Sequence, residues 1–248
     1  MNWIILKVSD EEKKTSLSIT GAKKDHIINI LKKKEGDLLK LILPGSGKFT
    51  FQIETITGSE IKGKIISQET EKQIHKFECT KVFFALPRPQ TGKKIFHLCG
   101  VYGMGEICFI HPKSQNKEFW TSPLYNGGEW EEIESGLSQS GNIFPTAFSY
   151  HKQENWKEYL GPSENVFIFD GTGVPFESHR EEIVTKALSR QKLNFCFGPE
   201  SGWPQKDLDE FKFRNYRLVS LGSLVLRTEF AFHAFLHQTR TWLETDSA

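Results

Sequence analysis

The segment Leu193-Asn-Phe-Cys-Phe-Gly-Pro-Glu-Ser-Gly-Trp-Pro204 joins a short apolar run to a loop rich in glycine and proline. The run predicts a buried strand at 193–197, and Pro204 suits the first turn of a helix that opens after the loop. Glycine lets a backbone approach a ligand closely. The segment therefore predicts a strand–loop–helix unit of an α/β sheet whose loop backbone is exposed to a ligand.

A second loop of this kind is Leu221-Gly-Ser-Leu-Val-Leu-Arg-Thr-Glu-Phe-Ala231. Thr228 is a candidate N-cap of the following helix, and Glu229 is favourably placed in its first turn. Arg227 stands beside apolar Leu226, where a charge is rarely placed unless it has a partner. Ordinary strand-to-helix connections remain the simpler alternative for both segments.

The rest of the C-terminal part alternates strand-like and helix-like patterns, which is typical of a mostly parallel α/β sheet with helices on its faces. Strands are predicted at 80–86, 106–110, 165–170 and 193–197. Helices are predicted near 92–102, 127–140, 177–190, 204–213 and 228–243.

The N-terminal part reads differently, as short strands with one helix, which suggests a small β-barrel. Its predicted elements are strands at 2–8, 38–43, 49–53 and 60–66, a hairpin turn at Pro44-Gly-Ser-Gly47 and a helix at 22–34. The polar segment 68–73 contains no large apolar residue. We therefore expect two domains, 1–72 and 73–248.

The amino-acid composition is typical of a folded globular protein. Of the 248 residues, 38% are hydrophobic and 25% are charged, which is enough for a packed core. The apolar runs are too short for a membrane span, and the N-terminus does not resemble a signal peptide, so the expected location is the cytoplasm.

Residues 1–76 carry 14 Lys and 10 Asp or Glu, a net charge of +4, against −3 for the remainder. A local basic patch is compatible with phosphate contacts, although a solvated helix face explains it equally well.

The sequence lacks the residues that several common catalytic and metal-binding sites require. The four cysteines contain no CxxC pair, which favours structural thiols and argues against a disulfide framework or a zinc site. Pro44-Gly-Ser-Gly-Lys48 is followed by Phe49 where a phosphate-binding loop needs Ser or Thr. His233 and His237 lack the Glu of a zinc protease, and Gly171-Thr-Gly173 reads as a turn. No metal is expected.

The chain resembles the RsmE-type uridine N3-methyltransferases of small-subunit ribosomal RNA, which belong to the SPOUT superfamily. Gly198-Pro-Glu-Ser-Gly-Trp203 is similar to the family loop GPEGGF, and Leu221–Ala231 to its LGxRILRTETA motif. Ala85-Leu-Pro87 and the segment 26–37, which looks like HxxxVLRxxxGD, extend the likeness over most of the chain.

This resemblance implies a fold and a set of binding partners. The fold is a small PUA-like β-barrel domain for RNA, followed by an α/β SPOUT-like domain with a trefoil knot. The partners are S-adenosylmethionine, ribosomal RNA or the small ribosomal subunit, and a second copy in a homodimer. The residues expected to bind the cofactor are Phe169, Asp170, Phe197, Gly198, Pro199, Glu200, Gly202, Leu221, Gly222, Leu226, Arg227 and Thr228. Those expected to contact RNA are Lys32, Lys33 and Arg88.

The same resemblance suggests catalytic roles. Methylation at uracil N3 needs the N3 proton to leave, and a nearby cation would stabilise the resulting negative charge. Arg227 is the candidate for that cation. Glu200 or Glu229 could position the cofactor or take part in proton transfer, and a helix-capping role for Glu229 stays open.

Departures from the family pattern raise an alternative function. Leu98 and Val101 replace a Lys and a Glu of the family's KxxELG helix, and Ser138 and Asn142 replace a Glu and an Arg of EQSGR. The usual Ser/Arg-rich loop is His111-Pro-Lys-Ser114. We expect these positions on the substrate side. The function predicted first is an S-adenosylmethionine-dependent ribosomal RNA methyltransferase, and the alternative is a catalytically silent RNA-binding or ribosome-assembly protein.

Overall fold

The computed structural model describes residues 3–7, 17–69, 73–110 and 117–245. Within these ranges the chain forms two β-sheets and six α-helices. The strands are β1 (Ile4–Ile5), β2 (Leu17–Thr20), β3 (Leu38–Leu43), β4 (Gly47–Ile56), β5 (Glu60–Gln68), β6 (Phe77–Ala85), β7 (Met104–Ile110), β8 (Ala147–His151), β9 (Val166–Pro175), β10 (Leu193–Phe197) and β11 (Arg217–Ser220). The helices are α1 (Gly21–Asp25), α2 (Pro89–Tyr102), α3 (Glu129–Ser140), α4 (Arg180–Leu188), α5 (Gln205–Phe213) and α6 (Thr228–Thr245).

The first sheet contains five strands in the order β1-β3-β4-β5-β2. The predicted hairpin joins β3 to β4, and Gly45 in its turn has a φ of +76°, a conformation that favours glycine. The helix predicted at 22–34 is shorter, because α1 continues only through a π-helical turn, His26–Ile30. Within the described ranges β1 and β2 do not pair, so closure into a barrel stays a prediction.

The second sheet contains six strands in the order β11-β9-β10-β6-β7-β8, and every neighbouring pair is parallel. The predicted parallel α/β organisation is therefore confirmed. All five residues of β10 are buried, as expected for a strand with helices on both faces of its sheet. The edge strands β8 and β11 were not predicted.

The turn predicted at Gly171-Thr-Gly173 is wrong, because these residues lie inside β9. Leu218 of β11 pairs with Ile168, whereas the next residue, Val219, pairs with Val174, so the intervening residues of β9 bulge away from the ladder. A Cβ at Gly173 would lie 2.4 Å from the backbone nitrogen of Val219. Glycine is required there because two backbones pass so closely.

The second sheet is covered by helices that fill its core with aromatic rings. Phe232 and Phe235 of α6 are fully buried, and Phe235 packs 4.6 Å from the ring of Phe195. Three of the four cysteines are buried among apolar side chains, as predicted: Cys99, Cys108 and Cys196.

Buried apolar side chains and a backbone hydrogen bond connect the N-terminal part of the chain to the C-terminal part. Ile5 and Ile42 of the first sheet belong to the same buried cluster as Phe77 of β6. The backbone N–H of Trp3 donates to the carbonyl of Ser138 at 3.1 Å. The expected domain boundary falls in the segment 68–73, of which residues 70–72 lie outside the described ranges, so the division between 72 and 73 stays a prediction.

Across the described ranges, none of the helices is both long enough and apolar enough to traverse a lipid bilayer. The same part of the chain has no group of three or more His, Cys, Asp or Glu side chains that could hold a metal ion.

Candidate active site

A cleft of about 840 Å³ opens at the carboxyl ends of β6, β9, β10 and β11. Parallel strands end at the same edge of a sheet, so the loops that follow them converge there, and α/β sheets commonly bind ligands at that edge. The volume is within the range of small-molecule and cofactor sites. The cleft is walled by the loops after β10 and β11 and by the first turns of α2 and α6.

Stacked aromatic rings form the floor of the cleft. Phe197 lies 4.4 Å from Phe169 and 5.2 Å from Phe84, each ring being on a neighbouring strand. The indole N–H of Trp203 donates to the carbonyl oxygen of Phe169 at 3.1 Å, and its ring stacks on Trp156 at 5.9 Å. This packing holds the loop after β10 rigidly against the sheet.

Glycines leave the walls open. A Cβ at Gly198 would lie 2.9 Å from the indole of Trp203, so only glycine fits beneath that ring. Gly202 and Gly222 have φ of +82° and +114°, and nothing lies within 4 Å of the position of a Cβ at either residue. The two loops thus present bare backbone to the cleft, as their sequences predicted.

Arg88 and Glu200 connect two walls of the cleft. Arg88 precedes α2, and its Nε donates to Glu200 Oε1 at 3.1 Å while its Nη2 donates to Oε2. The hydrogen bonds and charge of Glu200 raise the pKa of Arg88 above its ordinary value. A bidentate pair of this geometry fixes the loop after β10 relative to the start of α2.

The start of α6 carries a buried carboxylate. The side chain of Glu229 is 6% exposed, and Oε1 accepts a hydrogen bond from Lys94 Nζ of α2 at 3.1 Å. Burial raises the pKa of Glu229, but its own backbone N–H, Lys94 and the charge of Arg227 outweigh it, so the pKa lies below the ordinary value. Glu229 therefore stays ionised and joins α6 to α2.

Arg227 is exposed and faces the cleft. Its carbonyl accepts the N–H of Ala231, so Arg227, not Thr228, occupies the N-cap position and the predicted N-cap was wrong by one residue. Among the described residues its guanidinium makes no hydrogen bond or ion pair. Its charge acts on the carboxylate of Glu229 only from beyond ion-pair distance.

A family model described as an RNA methyltransferase domain matches residues 75–239, which include every residue of this cleft. The chain belongs to this family.

Individual relatives span nearly the whole chain. Ribosomal RNA small subunit methyltransferase E 1 of Borreliella burgdorferi is 22% identical over 92% of this chain and 93% of its own length. A structure of ribosomal RNA small subunit methyltransferase E from Neisseria gonorrhoeae, bound to S-adenosylmethionine, superposes with a TM-score of 0.78 at 16% identity over 97% of each chain. A methyltransferase of Legionella pneumophila, in complex with the same cofactor, gives 0.76 at 15% identity over 97% of this chain and 98% of its own. The likeness to these structures shows the mixed α/β fold.

The twelve residues predicted to bind a cofactor all line the cleft of this RNA methyltransferase: Phe169, Asp170, Phe197, Gly198, Pro199, Glu200, Gly202, Leu221, Gly222, Leu226, Arg227 and Thr228. Arg88 and Glu229 line it as well. Lys32 and Lys33 do not, since they follow the π-helical turn that packs on the first sheet. Their contact with RNA stays a prediction.

The four departures from the family pattern lie away from the cleft. Leu98 and Val101 are on the second half of α2, and Ser138 and Asn142 are at the end of α3. Ser138 Oγ donates to the Trp3 carbonyl at 2.6 Å, and Asn142 Nδ2 donates to the carbonyl of Gly100 at 3.2 Å. Both polar replacements thus connect structural elements. The fifth departure, residues 111–114, lies outside the described ranges.

Sequence reasoning missed the first two turns of α2, where Gln90, Thr91 and Lys94 line the cleft. Among the described residues, the side chains of Gln90 and Thr91 form no hydrogen bond. The motif Ala85-Leu-Pro87 could have located this wall, because β6 lies beside β10 and their carboxyl ends share an edge.

Proposed function

We propose that this protein transfers a methyl group from S-adenosylmethionine to N3 of a uridine in small-subunit ribosomal RNA. The observation that carries the proposal is the cleft, because both loops that resemble the family's cofactor motifs converge on it with all twelve expected residues. The family match supports RNA methylation, and the names of the relatives support the ribosomal substrate and the cofactor.

The residues of the cleft fit this cofactor. Open space at Gly202 and Gly222 admits a ligand directly against the backbone, where adenine edges find peptide donors and acceptors. Apolar Leu221 and Leu226 supply surface for a flat ring, and the carboxylate of Asp170 supplies negative charge near a cationic ligand. When bound, S-adenosylmethionine supplies an electrophilic methyl group on a sulfonium. The protein's task is then to orient the base and to manage its proton.

Arg227 stabilises the reacting base in this proposal. When the N3 proton leaves, negative charge spreads over the uracil carbonyl oxygens, and an exposed guanidinium at the cleft is suited to receive it. Since no described carboxylate lies within ion-pair distance of this side chain, and Glu229 is already paired with Lys94, its charge is available to the substrate. The target base must be unpaired or flipped to enter the cleft.

Glu229 and Glu200 act as positioning groups rather than as bases in this scheme. Ionised Glu229 is shielded by Lys94, and its lowered pKa makes it a weak proton acceptor. Glu200 is held in a two-bond pair by Arg88. The N3 proton then passes to solvent water or to Asp170, the other carboxylate that lines the cleft.

The finer features of the fold belong to the same proposal. We assign residues 1–72 to a PUA-like RNA-binding barrel and 73–248 to a SPOUT-like domain. The close passage of β11 against Gly173, followed by a loop that returns to the cleft, supports a trefoil knot in the C-terminal chain. An enzyme that acts on ribosomal subunits works in the cytoplasm.

A homodimer is part of the proposal as well. Val225 is fully exposed, and Leu224 next to it and Phe230 five residues later are also exposed, so three large apolar side chains of one short segment face solvent. Such a cluster is costly on a monomer and suits a two-fold contact. Phe230 further borders a groove of about 420 Å³ between α2 and α6, which a second copy would cover.

Methyl transfer from labelled S-adenosylmethionine tests the activity. The protein is incubated with small ribosomal subunits, with their naked RNA and with unrelated RNA, and the labelled nucleotide is identified after digestion. Incorporation at uridine N3 supports the proposal. Tight cofactor binding without incorporation on any substrate would instead favour the silent RNA-binding protein, although the four departures that suggested it do not line the cleft.

A further inference from the structure

A second groove, of about 530 Å³, lies where the two sheets meet the helix ends. The hairpin of the first sheet contributes Lys48 to it, the connecting segment contributes Gln73 and Lys76, and α6 contributes Arg240. Among the described residues that line the groove, none is Asp or Glu. Gln90 at the start of α2 lines the catalytic cleft, whereas Val101 at its end lines this groove, so about 17 Å of helix separates them.

Lys48 is an incompletely compensated cation. Its side chain is 17% exposed, and among the described residues it forms one ion pair, with Glu69 at 3.8 Å, which is longer than a hydrogen bond. The ammonium lies 5.1 Å from the ring centroid of Trp3, and the ammonium of Lys40 lies 5.2 Å from the same ring. Two cations therefore flank one indole at the edge of the groove.

Arg240 adds a third charge with unused donors. Its Nε donates to Glu244 at 2.6 Å, and the four N–H groups of its two terminal nitrogens make no hydrogen bond within the described chain. Tyr102 lines the same groove, and its hydroxyl lies 3.0 Å from His233 Nε2. The groove thus combines cationic donors with half-buried aromatic and amide groups.

Lys48 and Arg240 are not needed to cap the carbonyl groups at the ends of the neighbouring helices, because these carbonyl groups have other hydrogen-bond partners. The carbonyl of Gly100, near the end of α2, accepts from Asn142, and the carbonyl of Gly103 lies 2.9 Å from His75 Nε2. Only Lys76 caps a helix, through the carbonyl of Leu243 at 2.9 Å. Lys48 and Arg240 cap no helix, and each has one carboxylate partner, Glu69 and Glu244, among the described residues.

We propose that this groove binds the phosphodiester backbone of the RNA substrate at a distance from the methylated base. The inference rests on the proposed function, since it supplies a second attachment point for the same RNA. Clustered cations attract phosphates whatever the sequence, and an aromatic ring and amides can contact an adjoining base. Such a contact raises affinity without touching the reacting atoms.

The test is the salt dependence of RNA binding. Each lost phosphate contact lowers the slope of log K against log salt by about 0.7 for a single strand. The double variant Lys48→Gln/Arg240→Gln should therefore lose about 1.4 from the slope measured with fluorescein-labelled oligouridine. The matched control is Lys206→Gln/Lys212→Gln, which removes two exposed lysines of α5 outside the groove and outside the proposed RNA-binding barrel. The control should keep the wild-type slope.

Gln73→Glu supplies an independent variant, since it adds one charge to the groove without removing a contact and should weaken binding of the same probe. In turnover on ribosomal RNA, KM should rise in both groove variants while kcat and affinity for S-adenosylhomocysteine stay unchanged. An unchanged slope and unchanged affinity in both would overturn the groove assignment. Failure of the proposed function is a separate result, namely no methyl transfer by the unaltered protein.

Discussion

Arg88 and Glu200 are 112 residues apart in the chain, yet two hydrogen bonds join their side chains at the cleft. The pair links the loop after β10 to the start of α2. These two segments form the walls between which a cofactor and a base would bind. Both side chains are substantially exposed, so the interaction positions a loop and adds little to global stability.

We expect Arg88→Gln, Glu200→Gln and the double variant to weaken S-adenosylhomocysteine binding to the same extent. Residues that act as one unit do not give additive effects, because the first substitution already breaks the pair. Calorimetric titration of the three variants checks this. Additive losses, or a loss confined to Glu200→Gln, would mean that Glu200 contacts the ligand independently of Arg88.

A substitution beneath Trp203 should disturb the cofactor loop. The Cβ of Gly198→Ala would lie 2.9 Å from an indole that is held by Phe169 and stacked on Trp156. Overpacking of this kind costs about 1–3 kcal/mol. The melting temperature and the affinity for the cofactor should fall, and the tryptophan fluorescence should shift. Gly58→Ala is the control, because nothing lies within 4 Å of its Cβ position, and normal behaviour of Gly198→Ala would refute the close fit.

His75 should make folding sensitive to acid. It stacks on Phe144 at 4.3 Å and bonds the carbonyl of Gly103, and burial outweighs that bond to hold its pKa below the ordinary value. The fold therefore prefers the neutral ring. Its contribution is fully present above about pH 6.5, the ordinary pKa, and is lost as the pH falls through the lowered folded-state value.

The measurement is melting temperature between about pH 5 and 8. His75→Gln, which keeps an N–H donor, should flatten the acid side of the curve relative to the unaltered protein. His237→Gln, on an exposed part of α6, should leave the curve unchanged. An identical acid loss in His75→Gln would assign the sensitivity to other groups, among them His151, whose pKa burial also lowers.

The exposed apolar cluster before α6 should mediate dimerisation. Val225→Asp places a charge in a surface that a second copy would bury, so the mass by light scattering should fall from dimer to monomer. Phe213→Asp on α5 is the control, because Phe213 is equally exposed but lies outside the cleft. A monomeric unaltered protein at high concentration, or a dimer that survives Val225→Asp, would contradict this.

The sequence identified the cleft better than it identified the contacts within it. The periodic apolar runs are local signals, and they predicted β10 and α6. The glycine-containing loops are also local signals, and they predicted the residues of the cleft from Phe169 to Thr228. The Arg88–Glu200 and Lys94–Glu229 pairs join residues more than a hundred positions apart, and no local pattern encodes such pairing. The edge strands β8 and β11 are short and only partly buried, so they lack the apolar run that reveals a central strand.

The replacement Arg227→Ala should impair methyl transfer far more than folding. Its guanidinium is exposed at the cleft, and the buried carboxylate of Glu229, whose pKa it helps to lower, keeps its ion pair with Lys94, so removal of Arg227 leaves no buried charge unpaired. Exposed substitutions of this kind usually change stability by about 0.5 kcal/mol or less. Loss of one group that stabilises charge in the transition state costs about 3–4 kcal/mol, so kcat on ribosomal RNA should fall on the order of a hundredfold or more.

The matched control is Arg214→Ala, which removes an arginine of similar exposure that pairs with Glu210 at the end of α5, outside the cleft. Its turnover should match that of the unaltered protein. Melting temperature, S-adenosylhomocysteine affinity and single-turnover rate are measured for both variants. The role assigned to Arg227 requires a slow chemical step with normal melting. Unchanged turnover, or a melting temperature that drops as steeply as the rate, would instead make this arginine a structural residue.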